Sequence, residues 1–237
     1  MIETLQKAGE LIWRLDTGLL ECVSVSLICS LTATVAAVLV GAPIAVLLGR
    51  KRFKGRRALL LAAHTGMAVP TVVIGLLIYG LLSRTGPIES IGSLGMLYTR
   101  KAIIIGEFAL GLPIIVALVS SAVEGLDPRL EMTALTLGAG EFRRFCTVLG
   151  EARIALNAAT MSVFGRLCSE LGIAMMVGGN IVHHTRTMTT AIAVETAKGE
   201  FAMALALGLI LLLFALVINI AAQFIRLGSS RVDADVL

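Results

Sequence analysis

Between residues 202 and 225 the chain runs about 24 positions without one charged side chain. An α-helix of about 20 apolar residues is what crosses the ~30 Å hydrocarbon core of a bilayer. A helix that is apolar on every face belongs in lipid or in a large core. The rest of the chain shares this character. Of 237 residues, 57% are hydrophobic and only 15% charged, with a mean hydropathy of +0.93, whereas soluble domains carry roughly a quarter charged residues. These values exclude a disordered chain, a disulfide scaffold and most nucleic-acid binders, and they disfavour an ordinary soluble enzyme. The length suits about five crossings with their loops, so the expected fold is all-α and polytopic.

The remaining spans are expected at about 17–48, 58–82, 102–123 and 154–178. Pro70 removes a helical hydrogen bond and should kink or break the second; the third contains Pro113 and has Glu107 towards its outer end. In the first, Ser26, Ser30, Thr34, Ala37 and Gly41 recur every three or four residues and form a small-residue stripe suited to close helix packing. Residues 1–16 read as an amphipathic interfacial helix with Trp13 at headgroup level, in contact with lipid. The segment 124–153 mixes five acids with four arginines and reads as two short helices around Gly138 and Gly140. The four cysteines form no CxxC pair, and no metal site is expected.

The net charge of +4 is an orientation signal and carries no suggestion of nucleic acid. With the N-terminus outside and the C-terminus inside, the inner segments hold twelve Lys/Arg and the outer ones seven. RKRFKGRR at 50–57, six cations in eight positions, carries most of that bias.

Two charges fall inside a span. Arg166 is about 18 Å into the fourth, near the midplane, and Glu170 follows one turn later. A mid-bilayer charge costs about 2.5–3.5 kcal/mol on insertion scales and calls for a partner or a function. Either the two neutralise each other at i,i+4 and fix helix packing, or they border an aqueous path. Ser162, Arg166, Ser169 and Met176 share a face that offers hydroxyl and guanidinium donors, with Glu170 at its margin, which suits an anion. After it, Thr185, Arg186 and Thr187 form a donor-rich cluster, fit either for an outer entrance or for ordinary capping.

The cytoplasmic stretch then resembles the coupling loop of ABC-importer permeases, whose pattern is Glu-Ala-Ala, three residues, Gly, then about ten residues to Ile-x-Leu-Pro. Gly138 matches the glycine, Ala134 the second alanine and Val148 the isoleucine. Met132 stands where the glutamate is expected, with Glu131 adjacent, Thr133 replaces the first alanine, and Gly150-Glu151 replaces Leu-Pro. GRLCSELGIAMMVGGNI, residues 165–181, is similar to the Arg-x-x-(Gly/Ser)-Glu-x-Gly pattern of oxyanion permeases, with Arg166, Ser169, Glu170 and Gly172 at the matching positions. The continuation through TRTMTTAIAVETAKGE, residues 185–200, looks most like tungstate permeases. VPTVVIGLL at 69–77 and Gly86-Pro87-Ile88 resemble the same group, whose molybdate and sulfate members come next.

The resemblance implies a type I importer fold. Its transmembrane permease domain would cover 17–226, including the coupling segment 124–153, and 227–237 would be a cytoplasmic tail. It implies a homodimer in the inner membrane, two cytosolic ATP-binding subunits and an extracytoplasmic oxyanion-binding protein. Glu131, Ala134, Gly138 and Phe142 would engage the ATPase. The chain has no GxxxxGK[ST] motif, so ATP chemistry would belong to the partner, with no cofactor or catalytic residue here. An ion-coupled transporter or channel is the alternative from another class. A membrane-embedded enzyme is disfavoured by the lack of a nucleophile–base set or zinc pair.

Overall fold

A computed structural model of the chain describes residues 2–14, 16–84, 86–87 and 95–234. Ile88 of the Gly86-Pro87-Ile88 motif, most of the loop that follows it, and the last three residues lie outside that set. All regular structure among the described residues is helical. The helices are α1 (Ile2–Trp13), α2 (Thr17–Arg50), α3 (Arg56–Ala68), α4 (Thr71–Leu82), α5 (Arg100–Glu124), α6 (Pro128–Thr136), α7 (Glu141–Glu151), α8 (Arg153–Cys168), α9 (Met188–Lys198) and α10 (Phe201–Ala234), with a π-helical turn at Ala174–Gly178 between α8 and α9. α10 thus runs through most of the segment read as a polar tail.

Three helical stretches are long and apolar enough to cross a membrane: Thr17–Arg50, Arg100–Glu124 and Phe201–Phe224. Two of the expected spans take another form. The second is broken at Val69–Pro70, where α3 and α4 meet at 106°. Pro70 has no N–H, and its ring disfavours helix at the residue before it. The fourth ends as an α-helix at Cys168 and resumes only at Gly172. By contrast, Pro113 sits inside α5 without ending it.

The described chain forms two compact units. One comprises residues 1–34, 69–110 and 164–217; the other comprises 35–68, 111–163 and 218–237. In the first, Leu19, Cys22, Met188, Ala191, Ala206 and Leu207 build an apolar cluster that also receives Ala8, Leu11 and Ile12 from α1. Trp13 points away from it and is 89% exposed. In the second, Leu48, Ala63, Val116 and Ala117 are buried together against Leu60, Met67 and Leu112.

The small-residue stripe on α2 is a packing face in both units. Ser26, Ser30 and Thr34 are buried in the first, and Ala37 in the second, where a Cβ on Gly41 would fall 2.8 Å from Ile115 Cγ2. The opposite face of α2, with Ile28, Leu31, Val35 and Leu39, is exposed, as are Leu212, Leu213 and Leu216 of α10. Exposed apolar faces on such helices are what hydrocarbon solvates.

Candidate functional site

The breaks that interrupt two expected spans set the site in the first unit. α8 ends with the Ser169 hydroxyl donating to the carbonyls of Gly165 (3.2 Å) and Arg166 (2.9 Å). The chain then turns, and the buried Glu170 carboxylate accepts from the backbone N–H of Ile173 at 3.2 Å, capping the next helical segment. Glu170 therefore leaves the helix. Among the described residues no ion pair joins it to Arg166, so of the two readings the mutually neutralised i,i+4 pair is not formed. Arg166 instead stays in the last turn of α8, exposed, where the negative end of the helix dipole favours a cation.

Non-helical backbone at membrane depth persists only where its N–H and C=O groups find partners. Here the threonines supply them. Thr189 Oγ1 donates to the Glu170 carbonyl at 2.7 Å. Thr185 Oγ1 donates to the Gly178 carbonyl at 2.6 Å and accepts from Ile181 N–H at 3.0 Å, closing the loop after the π-helical turn. Thr187 caps α9 reciprocally with Thr190, and Ser26 Oγ accepts from Met188 N–H at 2.8 Å. Thr185 and Thr187 are buried, and Arg186 pairs with Glu195 at 3.2 Å. Of the trio read as an entrance or a cap, Thr185 and Thr187 hydrogen-bond to backbone, and Arg186 is held by a side chain.

The broken segment is closely packed against α4 and α5. Met176 is half-buried against Gly75 of α4, and Gly172 lies against Thr71 and Val72 at the start of that helix. A Cβ on Gly106 of α5 would sit 2.3 Å from Cγ2 of the fully buried Ile173. Glu107, expected towards the outer interface, is 2% exposed; Ser30 Oγ donates to its Oε1 at 3.5 Å, and its Oε2 has no partner. On α8, Ser162 belongs to the second unit and is exposed.

The second unit carries the helix–turn–helix read from 124–153. Asp127 caps α6 by accepting from Arg129 N–H at 2.8 Å, with Pro128 at the first helical position, where its missing N–H costs nothing. Gly138, at φ +77°, makes the turn into α7 in a conformation only glycine adopts freely. Glu131 is held by Arg50, through Nη2 and through Nε at 3.2 Å, and by Arg144 at 3.5 Å. Arg144 also binds Glu141 at 2.6 Å. The acid adjacent to the expected glutamate position thus anchors α6 to the end of α2. No spacing rule links Arg50 to Glu131 81 residues away, so this clamp was not visible in the sequence.

The Arg50 hydrogen bond is the main reason that the Glu131 carboxyl titrates below the usual range, and the charges of Arg50, Arg144 and Lys51 add to it against partial burial. A depressed folded-state pKa stabilises the native form at neutral pH, and the gain disappears as pH falls through that value. The protection of the α6 amides, taken against the intrinsic exchange rate at each pH, is therefore expected to be higher at pH 7 and to fall as pH drops through the lowered Glu131 pKa. In Glu131→Gln the acid-induced change should shrink.

The α6–α7 pair leaves large apolar side chains in the open. Met132, Leu135, Leu137 and Phe142 are all exposed, and no residue of α6 is buried. Ala134 lies with Leu130, Leu137, Ala139 and Cys146 along a groove of about 780 Å³. Such a contiguous apolar surface is the mark of a partner interface.

Residues 41–228 match the family of binding-protein-dependent transport system inner membrane components. The chain belongs to that family. It is an ABC-transporter permease subunit with several membrane-crossing helices. Among its relatives, the tungstate uptake system permease protein TupB of Campylobacter jejuni is 41% identical over 167 residues, covering 70% of this chain and 69% of its own. TupB of Peptoclostridium acidaminophilum is 35% identical over 217 residues, covering 92% and 94%. A crystal structure of a bacterial ABC transporter that imports the acidic polysaccharide alginate superposes with a TM-score of 0.64 at 18% identity, covering 84% of this chain and 78% of that one. That likeness supports the permease fold alone.

Proposed function

We propose that the chain is the membrane subunit of an ATP-driven importer that moves a tetrahedral oxyanion, tungstate first, by alternating access. The observation that carries this reading is the identity to two tungstate uptake permeases, 41% over 167 residues and 35% over 217, the second spanning 92% of this chain. Two copies form the pathway, two cytosolic ATP-binding subunits drive it, and an extracytoplasmic binding protein delivers the anion. The subunit itself needs no cofactor. Counting each broken helix as one crossing gives five, with the N-terminus outside and 50–57 and 124–153 on the cytoplasmic side of the inner membrane.

Arg166, exposed beside the break, supplies a positive charge to the path. Ser162, Ser169 and Met176 border the route. Glu170 holds the break open by capping Ile173, and Thr185, Arg186 and Thr187 shape the loop at its outer end. A donor-lined path with one cation attracts a dianion without trapping it. Arg166→Gln removes that charge from an exposed position, so it should lower tungstate uptake at least about tenfold with insertion unchanged, as read by uptake in cells deleted for the native subunit.

The reading is tested in the same deletion strain. Restored uptake of tungstate at low external concentration, resistant to excess sulfate, supports it. Uptake restored equally for an unrelated solute, or no restoration of any oxyanion by an inserted subunit, refutes it.

A further inference from the structure

The turn between α2 and α3 has a division of labour that transport does not explain. Three of its six cations are committed to carboxylates: Arg50 to Glu131, Arg56 to Glu124, and Lys51 to Glu141 at 3.9 Å. Arg56 also donates through Nε to the Leu48 carbonyl, so it caps the end of α2 and folds the turn back, with Gly55 at φ +95° making the reversal. The other three, Arg52, Lys54 and Arg57, are exposed and have no acidic partner within 4 Å among the described residues. They line one hollow of about 700 Å³ with Phe53, which is 42% exposed, and with the paired Arg50, Arg56 and Glu124, whose carboxylate Arg56 neutralises.

We propose that this hollow holds the headgroup phosphate of an anionic phospholipid, gripped by Arg52, Lys54 and Arg57, with Phe53 resting among the upper acyl chains. The turn follows directly on the end of α2, a helix long and apolar enough to cross a membrane. Clustered cations at that place attract anionic lipid, and an aromatic ring among them favours the interface. An acidic patch on the ATP-binding subunit is the competing occupant. The lipid is favoured because the exposed apolar side chains suited to a protein partner stand elsewhere, on α6 and α7. The site rests on the proposed orientation only for which leaflet supplies the lipid.

The test is native mass spectrometry of the full chain in detergent, titrated separately with phosphatidylglycerol and phosphatidylcholine. The readout is independent of orientation and of transport. Wild type is expected to retain one phosphatidylglycerol where phosphatidylcholine is lost. R52Q/K54Q/R57Q should weaken that retention at least about tenfold, and R52K/R57K, which keeps the charges, should preserve most of it. Equal retention of the two lipids by wild type overturns the proposal without recourse to any variant. So does a triple variant that keeps its phosphatidylglycerol but no longer co-purifies with the ATP-binding subunit, since the surface would then belong to the protein partner.

Discussion

Leu137→Asp combined with Phe142→Asp is expected to cut ATP-driven oxyanion uptake by at least about a hundredfold. The subunit should still be inserted and fold with unchanged thermal stability. Leu137 is 82% exposed and Phe142 78% exposed, so neither contributes to the chain's own core. Burying such side chains in a partner groove is worth about 1.5–3 kcal/mol each. Losing both, and placing two carboxylates in an apolar contact, removes roughly 3–5 kcal/mol of association, or a factor of about 10²–10⁴. Co-purification of the ATP-binding subunit and uptake should fall together. Full association with full uptake would show that α6–α7 is not the coupling surface.

The second large effect concerns one methyl group, and its sign reverses between two glycines. Gly106→Ala drives its new Cβ to within 2.3 Å of Ile173 Cγ2, a branch methyl of a fully buried side chain. Ile173 is itself tied through its N–H to Glu170, so it cannot yield without disturbing the break that carries Arg166 and Ser169. Overpacking of this kind costs about 1–3 kcal/mol. Gly208→Ala on α10 meets nothing within 4 Å and gains the ordinary helix preference of alanine, roughly 0.5–1 kcal/mol. Thermal unfolding in detergent should show Gly106→Ala lowered and Gly208→Ala unchanged or raised. Equal shifts would mean that the broken segment is loosely packed.

The helices were legible wherever composition alone decides. A run like 202–225 can only be an apolar helix, and the α2 stripe declared its packing face because small residues at helical spacing have few other uses. The break at Pro70 was legible as a local covalent effect. The break after Cys168 was not. Nothing in GRLCSELGI forbids a helix, and the interruption depends on Glu170 capping Ile173 and on Thr189, 19 residues later, satisfying the Glu170 carbonyl. The same distance in sequence hid the Arg50–Glu131 clamp. Spacing put Arg166 and Glu170 on one helix turn and suggested a pair, but tertiary hydrogen bonds overrode it. The candidate segment itself was visible, because charges in an apolar span stand out; the partners each residue meets there lie in contacts that a one-dimensional pattern does not contain.

This subunit is expected to pass tungstate only when an ATP-binding partner and a binding protein act on it. The most direct measurement is tungstate accumulation in proteoliposomes containing the chain, its ATP-binding subunit and the loaded binding protein on the outer face. Accumulation that requires internal ATP, stops without either partner, and is lost in the Leu137→Asp/Phe142→Asp pair is the predicted result. Tungstate entry into vesicles containing the chain alone, driven by an ion gradient or by none, would contradict it.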